Sequence, residues 1–396
     1  MIEKLHLSDF RNVADRSFDF HERVVIFFGG NGRGKTNILE AISLLSVGRS
    51  WRETSASDLI RTGTDSAQIS AFTDKKDHFR VQLQPRGRAF FRNEKKLPRK
   101  RFFGQIPTLL FAPEHLSLFS GTKRDRQQFF DRFLIQLWPG YREALTRADR
   151  ASRQKNSLFR QVTQDGVSPR IEDVAPWNEI LIETIPEVWR LRTKFLIQLS
   201  DPLQHQLSQI SHSDDSIEVS LVSPEKFDPT PDGVRDFFTA NFSREVAARK
   251  SLLSPFRDDF SFSLRERPIV TTASRGEERS VLLALLGAKR SVLQHTRGDE
   301  AAPILLLDDC FSELDDDRQA ALERLCAGTQ AFFTTTHREH FARFTGAVQG
   351  VEIGGMIFGS SLDILVYWKV KKDGRWIKGD DERIEKTIYL NSLKAF

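Results

Sequence analysis

Cysteine is nearly absent: Cys310 and Cys326 are the only two among 396 residues. Two thiols so placed support neither a disulfide framework nor a zinc site, and both read as small buried apolar residues in a reducing compartment. Long hydrophobic runs are also missing. The longest falls far below the roughly 18 residues that span a bilayer, and Met1-Ile2-Glu3-Lys4 lacks a charged-then-apolar secretory pattern. A cytoplasmic, soluble protein with no membrane partner is expected. Neither charge sign dominates. The formal net charge is +5, so any attraction for a polyanion must come from local distribution. No heptad pattern persists for the three or four repeats of a coiled-coil rod.

What is present starts with Gly29-Gly30-Asn31-Gly32-Arg33-Gly34-Lys35-Thr36. The apolar run Val24-Val25-Ile26-Phe27-Phe28 precedes it, and Ile38, Leu39, Ala41, Ile42 and Leu45 follow at helical spacing. A strand, a glycine-rich loop and a helix in that order form a phosphate-binding loop. Its glycines let backbone N–H groups wrap phosphate oxygens, Lys35 reaches the β- and γ-phosphates, and the Thr36 hydroxyl suits Mg²⁺. A nucleoside triphosphate, ATP with Mg²⁺, is the expected ligand.

The surrounding pattern predicts an α/β protein. Residues 1–120 read as short strands around the loop-helix unit, and residues 121–250 as a mainly helical arm with Gly166, Pro169 and Pro176 at its joins. Residues 251–357 return to strand and helix. The first and third segments are expected to form one nucleotide-binding head interrupted by the arm. In residues 358–396, alternation before Asp373-Gly374 predicts a small appended hairpin.

Asp308-Asp309 follows the apolar strand Ile304–Leu307, where a carboxylate pair belongs opposite a phosphate-binding loop. Asp308 is assigned to Mg²⁺ and Asp309 to the base that acts on the attacking water, one methylene shorter than the usual Glu. Ser312-Glu313-Leu314-Asp315 then resembles the D-loop of ABC-type ATPases, and Ser274-Arg275-Gly276-Glu277 resembles their signature motif. A Ser-x-Gly at a helix start can receive a γ-phosphate, although Ser274 would serve equally as a plain N-cap. In that class the signature faces the loop of another head, so two ATP molecules sandwiched in a homodimer are expected. His337, after Phe332-Phe333-Thr334-Thr335-Thr336, stands where a switch histidine touches the γ-phosphate; the alternative is a surface His at a strand end.

Between Arg86 and Arg101 lie eight Lys or Arg residues opposed only by Glu94, with Phe90-Phe91 and Phe102-Phe103 interleaved. Arg99, Lys100 and Arg101 are candidate contacts to DNA phosphates; a solvated basic hairpin is the alternative. No base-reading motif accompanies them, so binding should be independent of sequence.

Several further segments are similar to the RecF family of bacterial recombination mediators, short-armed relatives of the SMC-type ATPases. They are Leu7-Ser8-Asp9-Phe10-Arg11-Asn12, Gly48-Arg49-Ser50-Trp51-Arg52, Phe111-Ala112-Pro113-Glu114-His115-Leu116, Gln154-Lys155-Asn156 and Pro255-Phe256-Arg257-Asp258-Asp259. Phe256 stands where the family more often has His. The resemblance covers most of the chain and stops near residue 357. It implies an ABC-type, SMC-like head, binding of gapped DNA or single-strand/duplex junctions, and RecR and RecO as partners in placing RecA. It also implies that Arg11 and Asn12 lie near the nucleotide, and that ATP turnover is slow and DNA-dependent. The rival readings are another short-armed repair or defence ATPase and, against the arm and the basic run, a transporter's ATP-binding subunit.

Overall fold

The computed structural model describes residues 1–52, 55–165, 169–298, 302–337, 347–353, 367–370 and 376–378. The N-terminal part contains β1 (Ile2–Phe10), β2 (Val13–Asp19), β3 (Val24–Phe28), α1 (Lys35–Val47), β4 (Ala67–Thr73), β5 (His78–Gln84), β6 (Gly87–Arg92), β7 (Lys95–Leu97), α2 (Arg99–Phe102) and β8 (Thr108–Phe111). The middle adds α3 (Lys123–Leu137), α4 (Pro139–Asp165), α5 (Ile171–Ser211), β9 (Ile217–Val222) and α6 (Pro231–Ala248). After it come β10 (Asp259–Leu264), β11 (Arg267–Pro268), α7 (Ile269–Thr272), α8 (Arg275–Arg297), β12 (Ile304–Leu307), α9 (Asp316–Cys326), β13 (Ala331–Thr335), β14 (Val348–Glu352), β15 (Tyr367–Val370) and β16 (Trp376–Lys378).

Two sheets divide the head by burial pattern. β12 and β13 are apolar or buried at every position and β3 nearly so, as strands covered on both faces must be. They lie parallel to one another and to β14 and β8 in the order β16-β15-β14-β3-β13-β12-β8. The antiparallel sheet β2-β1-β4-β5-β6-β7 instead alternates buried and partly buried residues along β5. Aromatic side chains join the layers: Phe20 of the loop after β2 meets Phe332 edge-on at 4.9 Å, and Phe18 meets Phe27 at 5.7 Å. The expected hairpin pairs as β15 with β16, and β15 adds antiparallel to β14; its Asp373-Gly374 turn lies outside the described residues, as does the boundary at 357.

The middle region is mostly helical, with β9 pairing to β10. Packing does not change at residues 121 and 250. Phe130 and Phe133 of α3, Phe195 to Ile210 of α5 and Phe260 of β10 belong to the main core, whereas Ala148, Ala151, Leu181, Ile185, Phe237 and Phe238 form a second, smaller cluster. Pro176, expected at a join, lies inside α5 with Pro186 and Pro202. A proline there removes one helix hydrogen bond, yet α5 buries Leu181, Ile185, Val188, Leu191, Phe195 and Leu199, and that tertiary packing outweighs the local break. Gly166 lies outside the described residues.

A buried guanidinium ties the arm to the head. Arg192 of α5 donates to Tyr141 Oη (2.9 Å), Pro255 O (2.8 Å), Asp258 Oδ2 (3.1 Å) and Asp131 Oδ1 (3.1 Å). Arg126 grips Asp259 with two bonds of 2.8 and 2.7 Å. The Arg-Asp-Asp element thus closes the chain back onto α3 and α5. Phe256 packs against both hydrophobic clusters, an apolar role that an imidazole would fill less well. No described helix is long and apolar enough to cross a membrane.

Candidate functional site

The parallel strands all end at one edge, and the turns that leave β3, β8, β12 and β13 there carry Lys35, Glu114, Asp308 and His337. Crevices at the carboxyl ends of such strands are where α/β proteins bind ligands. The loop of residues 29–36 leaves β3, the central strand. Gly34 is the N-cap of α1 with φ 91°, a left-handed conformation, and a β-carbon there would stand 2.9 Å from Asn12 Oδ1. No side chain caps α1. Its first N–H groups therefore point outward as unpaired donors at the positive end of a helix dipole, which is an anion site. By contrast α3, α6 and α8 are capped by Thr122, Thr230 and Ser274.

Lys35 folds back over the loop, donating from Nζ to Gly29 O (2.7 Å) and Gly30 O (2.8 Å). Burial lowers its pKa, opposed by the nearby Asp309 and Asp308 carboxylates. Thr36 Oγ1 donates to Asp308 Oδ1 at 2.9 Å, across 272 residues of sequence. The same carboxylate oxygen accepts from Thr334 Oγ1 at 2.6 Å. Burial raises the Asp308 pKa against those two hydrogen bonds, and Glu114 adds to the rise. Adjacent ligands of an octahedral Mg²⁺ at about 2.1 Å stand about 3 Å apart. The Thr36 and Asp308 oxygens have that spacing and fit such an ion. No group of three or more His, Cys, Asp or Glu side chains that could hold a metal occurs among the described residues, so the remaining ligands would be phosphate oxygens and water.

Asp309 adopts φ 42°, ψ 35°, a conformation that Asp tolerates better than most residues. Its N–H is held by Thr334 Oγ1 at 3.0 Å. Thr334, between β3 and β12, and Glu114, leaving β8, were not singled out as site residues in the sequence. The threonine-rich end of β13 and the motif containing Glu114 were visible, but their proximity to Asp308 depends on strand order. His337 is exposed just beyond β13, its N–H donating to Thr335 Oγ1 at 3.1 Å.

Asn12 lies against the loop, accepting from Asn37 Nδ2 at 2.8 Å. The Arg11 guanidinium has protein partners of its own. It grips the fully buried Glu40 of α1 (3.0 and 2.6 Å) and donates to Asp58 O (2.8 Å), so its charge is already matched.

The second motif group forms a separate surface. Ser274 Oγ accepts from Glu277 N–H (3.2 Å) while Glu277 Oε2 accepts from Ser274 N–H (2.7 Å), a reciprocal cap. Glu277 also pairs with Arg265 at 2.7 Å. Asp315 caps α9, and Arg318 bonds both Asp315 and Ser280 Oγ, tying the segment at 312–315 to the start of α8. Gly276 faces that same guanidinium, with Arg318 Nη2 3.1 Å from where a β-carbon would stand. Ser274 and Arg275 are exposed. Among the described residues no hydrogen bond or ion pair joins residues 274–277 to residues 29–36.

The basic run divides. Arg92 is bonded twice by Asp77, Arg80 of β5 holds Glu94, and Lys100 is bonded by Glu143. Arg99 and Arg101 on α2 are exposed.

The profile of the RecF/RecN/SMC N terminal domain matches residues 1–355. The DNA replication and repair protein RecF of Thermosynechococcus vestitus is 33% identical over 355 residues, covering 86% of this chain and 92% of the relative. Its namesake in Streptococcus gordonii is 31% identical, covering 89% and 98%. Among solved structures, that of the recombination mediator protein RecF with ATPrS, described as part of the RecFOR pathway, superposes with a TM-score of 0.79 at 24% identity over 89% of this chain and 96% of the other.

Proposed function

The chain belongs to the RecF/RecN/SMC N-terminal domain family, in its RecF branch, and from that premise we propose that it is an ATP-switched DNA clamp of recombinational repair. ATP and Mg²⁺ bind at residues 29–36 with Thr36 and Asp308. Mg²⁺ there would offset phosphate charge. Lys35 leaves its two carbonyl partners for the phosphates, the α1 N–H groups receive them, and Asp309 orients and deprotonates water.

One observation carries this reading: the bare N-terminus of α1 lies beside Lys35 and the Thr36–Asp308 pair, while Ser274 and Arg275 face solvent with no bond to that loop among the described residues. The loop has an anion site with no signature motif of its own against it. A second copy of the chain supplies residues 274–277 and Asp315, so ATP closes a homodimer and slow hydrolysis opens it. His337 senses the γ-phosphate from the end of β13. The dimer binds gapped DNA or single-strand/duplex junctions and, with RecR and RecO, helps place RecA.

Lys35→Ala should abolish both ATP binding and ATP-dependent dimerisation in sedimentation experiments. Asp309→Asn, which tolerates the same backbone conformation, should bind ATP and dimerise while turnover falls about a hundredfold or more. Normal turnover by Asp309→Asn would remove Asp309 as base. A protein that stays monomeric with ATP and Mg²⁺ well above micromolar concentration would refute the shared site.

A further inference from the structure

Arginines from four separate segments lie close enough to repel one another, and one of them covers the ring of Phe103. Gly48 ends α1 at φ 65°, so close to this ring that a β-carbon would stand 2.4 Å from it. Arg49 follows immediately and is exposed. Arg88 of β6 donates from Nη1 to the Gly48 carbonyl. The Arg99 carbonyl of α2 accepts from Phe103 N–H at 3.0 Å. Arg142 of α4 lays its guanidinium 4.8 Å from the Phe103 centroid. Phe103 itself is buried and braced edge-on by Phe90 at 5.3 Å, so it is a fixed platform.

This cluster differs from the other basic residues nearby. Arg80, Arg92 and Lys100 each have a carboxylate partner, whereas Arg49, Arg99 and Arg142 form no ion pair among the described residues. Burial and mutual repulsion lower the Arg99 and Arg142 pKa values. Burial first, then Arg49, Arg99 and Arg88, push Arg142 down to about 10, and burial, Arg88 and Arg49 lower Arg99. Like charges held this close are costly unless an anion of matching density neutralises them.

We propose that Arg49, Arg99 and Arg142 form a cradle for consecutive backbone phosphates of duplex DNA, with Arg88 anchored to the Gly48 carbonyl behind them. The inference rests on the DNA-binding reading above and gives it a place. Guanidinium forks match phosphate oxygens. Arg86 and Arg101, both exposed, extend the positive surface beyond the reach of one small anion. Phe103 is covered by Arg142 and offers no open face on which a base could stack, so contact is with the backbone and ignores sequence. Lys35 and Val47 are the first and last residues of the 13-residue α1. The cradle therefore lies about 20 Å from the nucleotide loop, at the other end of the same helix. Arg142 brings the arm into the contact.

The test measures affinity of the full chain, with ATP and Mg²⁺, for a labelled mixed-sequence duplex between 50 and 200 mM salt, where each lost phosphate contact lowers the salt slope by about one. Arg49→Gln with Arg99→Gln, two exposed positions, should keep the melting temperature, weaken binding about ten- to a hundredfold and lower the slope by about two. Arg142→Gln alone should lower it by about one. The charge-matched pair Lys95→Gln with Lys96→Gln should change affinity less than about threefold. Wild-type binding with an unchanged slope in the arginine variant would overturn the cradle and leave DNA binding intact. An equal loss from the lysine pair would overturn it in favour of diffuse attraction. No duplex binding by the wild type would overturn the DNA reading and the cradle with it.

Discussion

Replacing Arg192 by Met isolates the ionic lock between arm and head. The guanidinium is completely buried, Asp258 is buried with it, and Asp131 is 17% exposed. Methionine keeps much of the side-chain volume, so little of the effect comes from a cavity. Two carboxylates lose their cation, and Tyr141 loses the donor to its oxygen. Removing one partner from a buried pair costs about 3–5 kcal/mol, which we expect in urea unfolding at pH 8. The pH dependence distinguishes charge from packing. Burial already pushes Asp258 up to about 7, with Arg192 and Trp189 pulling it back. Without Arg192 it rises further. A carboxyl raised in the folded state stabilises while protonated and loses that contribution as pH rises through its folded pKa. The deficit should therefore be smaller at pH 6 than at pH 8. A loss under about 1 kcal/mol at pH 8, or an identical deficit at both pH values, would refute the ionic account.

Two other perturbations follow from buried charge. Lys155 and Glu245, both fully buried, pair at 2.6 Å, and Lys155 lies 3.8 Å from the Phe238 centroid. Glu245→Gln should cost about 3 kcal/mol or more, whereas adding Lys155→Met should recover most of it; additive losses in urea unfolding would exclude coupling. His115 accepts from Ala112 N–H at Nδ1, and burial, then Lys289 and Arg132, hold its pKa down to about 3 from 6.5. The unfolded chain takes up this proton below 6.5 and the folded chain does not until about 3, so the stability present above 6.5 is lost as pH falls through that window. At pH 5 the loss is about 2 kcal/mol. His115→Gln should flatten that part of the stability–pH curve, and an unaltered curve would show that the imidazole is not its source.

Much of the candidate nucleotide site was legible because its chemistry is local. Eight consecutive residues carry the loop, and β3 and α1 announce themselves by an apolar run and a helical repeat on either side. Reciprocal capping by Ser274 and Glu277 likewise depends on three residues of spacing. Compositional scarcity restricted the class as well, since the two cysteines are buried and free and form no disulfide. Resemblance to the RecF family was carried by short segments such as the Arg-Asp-Asp element, but not the reason for them.

Tertiary structure decided the rest, because contact energy depends on what lies opposite and the sequence does not state that. Strand order put Thr334 beside Thr36 on the same Asp308 oxygen and brought Glu114 within electrostatic reach. Arg11 carries the charge of a ligand contact, yet a buried Glu40 occupies it. Pro176 has the chemistry of a helix breaker, yet α5 packs enough apolar surface to continue through it. The eight charges between Arg86 and Arg101 look equivalent along the chain; in the fold Asp77 and Glu143 neutralise some of them. Arg49 and Arg142, outside that run, lie near Arg99 instead. A sequence lists charges, and only the folded chain determines which of them have partners.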